Sequence, residues 1–135
     1  MNYFDHIGLQ LYTLREAFTQ SPEDCLRKVA AIGYKEIELH GMHLMPEVQD
    51  IIGELGLRVS SSHFLPPYLT GFWSSYGLAE PDVSSFQSQL DLAAKFEVPY
   101  LVMPMLLDRE RGNIDHYKRL AHLFNKWGEA CKKVG

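Results

Sequence analysis

The chain has 135 residues, 46% of them apolar, which is enough to bury the core of one domain. Its 13 basic and 17 acidic residues give a net charge of −4, and the basic residues form no stripe of the kind that binds nucleic acid. No signal-peptide pattern and no apolar run of the ~18 residues that cross a membrane is present. Cys25 and Cys131 lack CxxC-type spacing, which favours two reduced thiols. We expect one domain over residues 1–135, located in the cytoplasm, without nucleic-acid or membrane partners.

The first unit is a short strand followed by an amphipathic helix. The strand IGLQLYT alternates, with aliphatic side chains on one face and Gly8, Gln10 and Tyr12 on the other. The helix begins at SPED, where Ser21 is the predicted N-cap and a proline takes the first helical position. Gly33 suits the position just beyond the last helical turn.

The second unit repeats this order. The strand KEIELHG places Ile37 and Leu39 on one face and Glu38 and His40 on the other. Its helix begins near Pro46 and has apolar residues at helical spacing. Two successive strands therefore share a pattern of one aliphatic face and one mixed polar face.

The third strand, RVSSSH, replaces large apolar residues by three serines and ends at His63. Ser61 lies two residues earlier and is predicted to face the same way as His63. The segment PPYLTGFWSSYGLAEPD then reads as a long loop, and loops of this length in compact domains are usually functional or disordered. Its aromatic residues argue against disorder.

The fourth unit closes the pattern. The third helix precedes the strand PYLVMPM, and LLDRERGN reads as a charged, solvated turn before a fourth helix that begins near Asn113. The predicted apolar stripe of this helix consists of Tyr117, Leu120, Ala121 and Phe124. The final KKVG stands where a helix would pass to another strand.

Strands that alternate with helices predict a parallel sheet with right-handed crossovers. A doubly wound sheet buries both faces of its strands, whereas the first two strands here have one polar face. Barrel strands have such a pattern, and a (β/α)₈ barrel needs roughly 250 residues. The sequence therefore predicts an α/β fold, a parallel (β/α)4 half of a TIM barrel, truncated relative to the full barrel.

Three segments carry a resemblance to a known family: GLQLYTLRE at residues 8–16, AAIGYKEIELHG at 30–41 and GLRVSSSH at 56–63. In order and spacing they resemble the N-terminal half of the xylose-isomerase-like TIM-barrel superfamily, in particular its sugar phosphate isomerase/epimerase group. This group shares a domain type with AP endonuclease family 2. The resemblance implies metal-assisted proton transfer next to a carbonyl of a sugar or polyol.

The resemblance also implies a divalent metal (Mn, Mg, Co or Zn), held at the ends of strands five to eight. This chain has no such strands, so neither a metal ligand nor a catalytic base is assigned to it, and we expect the isolated chain to be inactive. A cluster of His40, His43 and His63 has no standard ligand spacing.

TIM-barrel sites lie at the carboxyl ends of the strands, which directs attention to polar and aromatic residues there. A histidine satisfied by neighbouring backbone, a structural salt bridge of Glu38 and core filling by Tyr12 remain the structural alternatives. The predicted substrate-binding residues are Gln10, Tyr12, Glu38, His40, His63, Phe64 and Trp73.

Half a barrel exposes the hydrogen-bonding edges of its first and fourth strands. We therefore expect completion by another chain, with homo-oligomerisation through these edges, or else a piece of a longer protein. A non-catalytic module for small-molecule binding or self-association is the alternative function. An abasic-site endonuclease is disfavoured by the excess of acidic residues.

Overall fold

The computed structural model describes residues 7–80 and 85–134. Four strands form one sheet: β1 (Gly8–Gln10), β2 (Glu36–Leu39), β3 (Arg58–His63) and β4 (Leu101–Val102). The helices are α1 (Arg15–Gln20), α2 (Pro22–Ile32), α3 (Met45–Glu54), α4 (Pro67–Thr70), α5 (Phe86–Lys95) and α6 (Ile114–Val134). Short 3₁₀ helices cover Leu11–Leu14, Met42–Leu44, Trp73–Tyr76 and Asp108–Glu110.

All neighbouring strands are parallel, and their order in the sheet is β1-β2-β3-β4. Each connection thus moves one strand in the same direction, and right-handed crossovers place the connecting helices on the same face. A doubly wound sheet reverses its strand order and covers both faces. The observed order confirms the α/β, parallel, four-unit fold that the sequence predicts.

The main core lies between the sheet and the helices. Ile37 and Leu39 of β2 are fully buried there, together with Leu26 of α2 and Val48 of α3. The intervening residues of β2 are only half-buried, so its burial alternates along the strand. The predicted division into an aliphatic and a polar face is therefore correct for β2.

The residues predicted to begin and end α2 are also correct. Ser21 has an extended backbone, and its hydroxyl accepts a hydrogen bond from the Asp24 amide at 3.4 Å. Gly33 follows the last turn with φ of 112°, in the left-handed region that glycine adopts without a steric penalty. These residues fix both ends of the helix.

A β-bulge interrupts β3. Ile37 pairs with Val59, but the next residue, Glu38, pairs with Ser61, so Ser60 is an extra residue in this strand. The Ser60 hydroxyl donates to the Ile37 carbonyl at 3.3 Å. The bulge changes which face the rest of β3 presents, and Ser62 beyond it is completely buried.

Two elements near the start and middle of the chain differ from the sequence prediction. The first strand ends at Gln10, because the chain turns into a 3₁₀ helix at Leu11, so Tyr12 does not lie on the strand. The segment predicted as a long loop contains α4 and the 3₁₀ helix Trp73–Tyr76. Residues 81 and 82, the last two of that segment, lie outside the described part of the chain.

The predicted stripe of the fourth helix is only partly correct. Leu120, Leu123 and Trp127 of α6 pack against the cluster formed by Phe64, Leu69 and Phe86. The other predicted members face solvent, and Tyr117 and Phe124 are both more than two-fifths exposed. The helix therefore has one apolar face packed on its own chain and a second that this chain leaves uncovered.

Neither cysteine forms a disulfide: Cys25 is buried in α2, and Cys131 is half-buried in α6. Burial raises the pKa of both thiols. Among the helices of the described residues, none has the length and apolarity needed to cross a bilayer.

Candidate functional site

Three neighbouring strands bring polar side chains together on the face of the sheet opposite the main core. The strand register pairs Gln10 of β1 with Glu38 of β2, and Glu38 with Ser61 of β3. His63 stands two residues beyond Ser61, at the carboxyl end of β3. We call Gln10, Glu38, Ser61 and His63 the polar network.

Glu38 is the centre of the polar network. Its Oε1 lies 3.0 Å from Nε2 of His63, and its Oε2 accepts a hydrogen bond from the Ser61 hydroxyl. The side chains of His63 and Glu38 keep 18% and 24% of their exposure, so water and small molecules can reach them. A carboxylate bound to one ring nitrogen fixes the orientation of an imidazole. The pair can therefore present a firmly held imidazole to a ligand.

Gln10 approaches the same ring nitrogen. Its Nε2 lies 3.4 Å from Nε2 of His63. When that nitrogen donates its proton to Glu38, it cannot also accept one from Gln10. The shorter contact with the carboxylate is the stronger one, so the Gln10 amide retains hydrogen-bonding capacity for a ligand.

His40 lies just beyond β2, beside the polar network but not within it. Its ring packs edge-on against Tyr12 and Phe18, at centroid distances of 6.1 and 5.6 Å. Its Nδ1 is buried and has no hydrogen-bond partner among the described residues. Burial, together with the nearby His43 and His63, lowers the pKa of His40, so the ring is neutral at pH 7.

Tyr12 reaches the site from the 3₁₀ helix that follows β1. It is 54% exposed, and the Arg15 guanidinium stacks on its ring at 4.8 Å. The ring also packs edge-on against the His40 imidazole. Its predicted contact with a substrate remains a prediction.

Phe64 and Trp73 are buried and lie apart from the polar network. Both line a cleft of about 260 Å³ that neither Gln10, Glu38 nor His63 lines. Phe64 packs edge-on against Phe86 at 4.9 Å. The structure therefore divides the predicted substrate-binding residues into a polar group on the strands and an aromatic group in the segment after β3.

No family model and no curated protein matches the sequence. A crystal structure of a sugar phosphate isomerase/epimerase from Parabacteroides distasonis matches with a TM-score of 0.72 and 26% sequence identity. The expected resemblance is confirmed. The match covers 96% of this chain but only 48% of that one, so the chain spans about half the length of this relative.

The half-length match agrees with a half barrel. The sheet has four parallel strands in sequential order. The chain aligns over nearly its whole length with about half of a sugar phosphate isomerase/epimerase, which confirms the predicted fold class.

The divalent metal that this resemblance implies finds no ligand set here. Glu38 and His63 are suitable donor types, but each is already bonded to the other. Across residues 7–80 and 85–134, no three His, Cys, Asp or Glu side chains are grouped so that they could hold an ion. The hypothetical cluster of His40, His43 and His63 is therefore not supported.

Sequence reasoning missed Glu110, which is only 7% exposed although it lies in the predicted solvated turn. Its carboxylate accepts hydrogen bonds from the Thr70 hydroxyl at 3.0 Å, the Leu107 amide at 3.0 Å and the Tyr76 hydroxyl. It thereby ties the aromatic segment after β3 to the turn after β4. A lone Glu in DRERGN gives no sequence signal for this role.

Proposed function

We propose that this chain is half of an isomerase- or epimerase-type barrel and binds a sugar, sugar phosphate or polyol on the polar face of its sheet. The observation that carries the proposal is the polar network, in which adjacent strands aim Gln10, Glu38 and His63 at one place. The similarity of the whole chain to a sugar phosphate isomerase/epimerase supports this choice of ligand.

The network suits a polyhydroxylated ligand because it offers both acceptors and donors. A hydroxyl can donate to the Glu38 carboxylate and accept from the amide of Gln10, while the His63 imidazole supplies a further contact. Such a charge-assisted hydrogen bond is stronger than one between neutral groups. These three side chains determine the orientation of the ligand in the proposed complex.

Proton transfer next to a carbonyl needs a base that the described residues do not supply in an open position. Glu38 is already held by Ser61 and His63. We therefore propose that this chain binds the ligand, and that the remaining catalytic groups come from the other half of the barrel. The isolated chain is expected to bind without turnover.

A second copy of the chain is the proposed source of that other half. β1 and β4 are the edges of the sheet, and each presents unpaired backbone groups. Exposed apolar residues flank both edges, including Ile7 and Ile32 near β1 and Tyr100 near β4. Pairing β1 of each copy with β4 of the other would close a symmetric ring of eight strands.

Sedimentation at micromolar concentration tests this association. We include the uncovered face of α6, which exposes Phe124, in the proposed contact between the copies, so Phe124→Glu should shift the dimer towards monomer. Asn125→Glu adds the same charge at the next helical position, on another face, and should leave the dimer unchanged. A monomeric unaltered chain would refute the dimer without affecting the proposed ligand site.

Ligand binding is tested by calorimetric titration with D-fructose 6-phosphate, D-fructose and glycerol. Glu38→Gln removes the charge but keeps the shape, and it should weaken binding about tenfold, the loss of one charge-assisted hydrogen bond. The matched control is Glu54→Gln, because Glu54 is an exposed carboxylate in an ion pair with Arg27. Equal binding by both variants would contradict the proposed site.

The alternative function is a non-catalytic module that binds small molecules or associates with itself. The uncovered face of α6 and the two open sheet edges favour it. Metal content, oligomeric state and isomerase activity measured on one sample separate the two functions. An assembled ring that binds sugars but takes up no Mn²⁺ and shows no turnover would favour the alternative.

A further inference from the structure

The cleft lined by Phe64 and Trp73 opens between the turn after β2 and the aromatic segment after β3. Its volume of about 260 Å³ exceeds the ~150 Å³ of an apolar cavity that holds benzene. It lies at the carboxyl ends of the strands, and the polar network does not contribute to it. Its principal lining residues are Met42, His43, Phe64, Tyr68, Trp73 and Gln89.

This cleft has three aromatic side chains in its wall, Phe64, Tyr68 and Trp73, and they are held in place. Trp73 is 5% exposed and packs edge-on against Tyr68 at a centroid distance of 4.8 Å. Phe64 is held in the same way by Phe86. Rings arranged in this way present fixed faces and edges to a flat guest, which loses little by being ordered there.

Gln89 gives the cleft a polar group. It is 5% exposed, and its amide nitrogen contacts the Ser88 hydroxyl at 3.5 Å, the outer limit of a hydrogen bond. Within residues 7–80 and 85–134, no donor reaches its amide oxygen. Because Gln89 lines the cleft, this oxygen can accept a hydrogen bond from a guest.

The cleft carries no charged side chain among its described lining residues. The titratable side chains among these lining residues are His43 and Tyr68. Burial lowers the pKa of His43, so its imidazole is neutral at pH 7. This ring rests on Gly41, where an added Cβ would lie 2.6 Å from Nδ1. The glycine therefore provides space for the imidazole that forms one wall.

We infer that this cleft binds an uncharged, planar ring that carries a hydroxyl group, that is, a phenol-like molecule. The ring contacts the faces and edges of Phe64, Tyr68 and Trp73, and the hydroxyl donates to the amide oxygen of Gln89. An anionic guest is disfavoured because the described lining residues include no cation, and a sugar would leave most of its hydroxyls without partners. The inference does not depend on sugar binding by the polar network.

Tryptophan fluorescence tests the inference directly. The chain has two tryptophans, so Trp127→Phe leaves Trp73 as the reporter in the cleft. Titration with phenol should give a saturable change, and titration with D-fructose 6-phosphate should give none. If Trp127→Phe does not fold, saturation-transfer NMR observed on phenol with the unaltered chain replaces it. A response that rises linearly without saturation, by either method, would overturn the inference.

Two variants test the proposed contacts. Gln89→Leu should weaken phenol binding at least fivefold and leave toluene binding unchanged, because only phenol donates to the amide. Gly41→Ala should also weaken binding, since the added methyl group displaces the His43 ring. The matched control is Gly53→Ala, where an added Cβ meets no atom within 4 Å. Loss of phenol and toluene binding to the same extent in Gln89→Leu would refute the role of its amide.

Discussion

Removal of the Glu110 carboxylate tests how the aromatic segment after β3 is held. In Glu110→Ala, the Thr70 hydroxyl, the Tyr76 hydroxyl and the Leu107 amide all lose the acceptor that joins them. Glu110 is the link between this segment and the turn after β4, two parts of the chain that are 34 to 40 residues apart. The variant should therefore loosen the wall of the aromatic cleft as well as destabilise the fold.

The expected loss of unfolding free energy depends on whether each donor can form a hydrogen bond with water after the substitution. The two hydroxyls are only half-buried and can turn to water, which limits each loss to about 1 kcal/mol. The backbone amide of Leu107 cannot turn, so its loss costs about 1–3 kcal/mol. Glu110→Ala should lower the free energy of unfolding by about 3–5 kcal/mol in total. Glu110→Gln should cost about half as much, because the amide keeps one acceptor oxygen.

Urea denaturation of the unaltered chain and of each variant measures the change in the free energy of unfolding. The matched control is Glu129→Ala, since Glu129 is an exposed glutamate whose partner is Lys132 three residues later, and the change should stay within about 0.5 kcal/mol. A double-mutant cycle of Glu110→Ala with Thr70→Val should give a coupling of about 1 kcal/mol. A loss for Glu110→Ala no larger than that of the control would refute the reasoning.

Three further predictions concern pH and backbone conformation. Burial lowers the pKa of His40 below its ordinary 6.5, so the unfolded chain binds the proton more strongly and the free energy of unfolding should fall as the pH drops below 6.5. In pH-dependent denaturation, His40→Gln should reduce that dependence. Gly33→Ala places a side chain at φ of 112° and should cost about 1–2 kcal/mol in thermal or urea unfolding. Gly53→Ala lies within α3 in open space and should instead stabilise the chain by about 0.5–1 kcal/mol. A stabilised Gly33→Ala, or a pH profile that His40→Gln leaves unchanged, would contradict these expectations.

The fold was predictable because its signals are local. The alternation of Ile37 and Leu39 with polar neighbours depends only on adjacent residues, and so do the N-cap at Ser21 and the left-handed glycine at residue 33. Parallel strand order then follows from the repetition of strand and helix. None of these inferences requires knowledge of distant contacts.

Residues whose environment depends on distant parts of the chain were not predictable. Glu110 has the composition of a solvated turn, and its burial results from donors far away in sequence. On α6 two apolar stripes compete, and helical spacing alone selected the one containing Tyr117 and Phe124. The stripe with Leu123 and Trp127 packs on the chain because the Phe64 cluster lies on that side.

The position of His63 shows most clearly where a strand pattern is insufficient. In a regular strand, residues two apart share a face, so His63 would lie on the same face as Val59, which is buried beneath the helices. The extra residue, Ser60, reverses the alternation, and Ser61 and His63 then join Glu38 on the opposite face. Small hydroxyl side chains suit this bulge, because Ser60 can bond the backbone where the ladder is interrupted. The run of three serines therefore accommodates the bulge that moves Ser61 and His63 to the other face of the sheet. Without the bulge, the His63 imidazole and the Glu38 carboxylate would lie on opposite sides of the sheet.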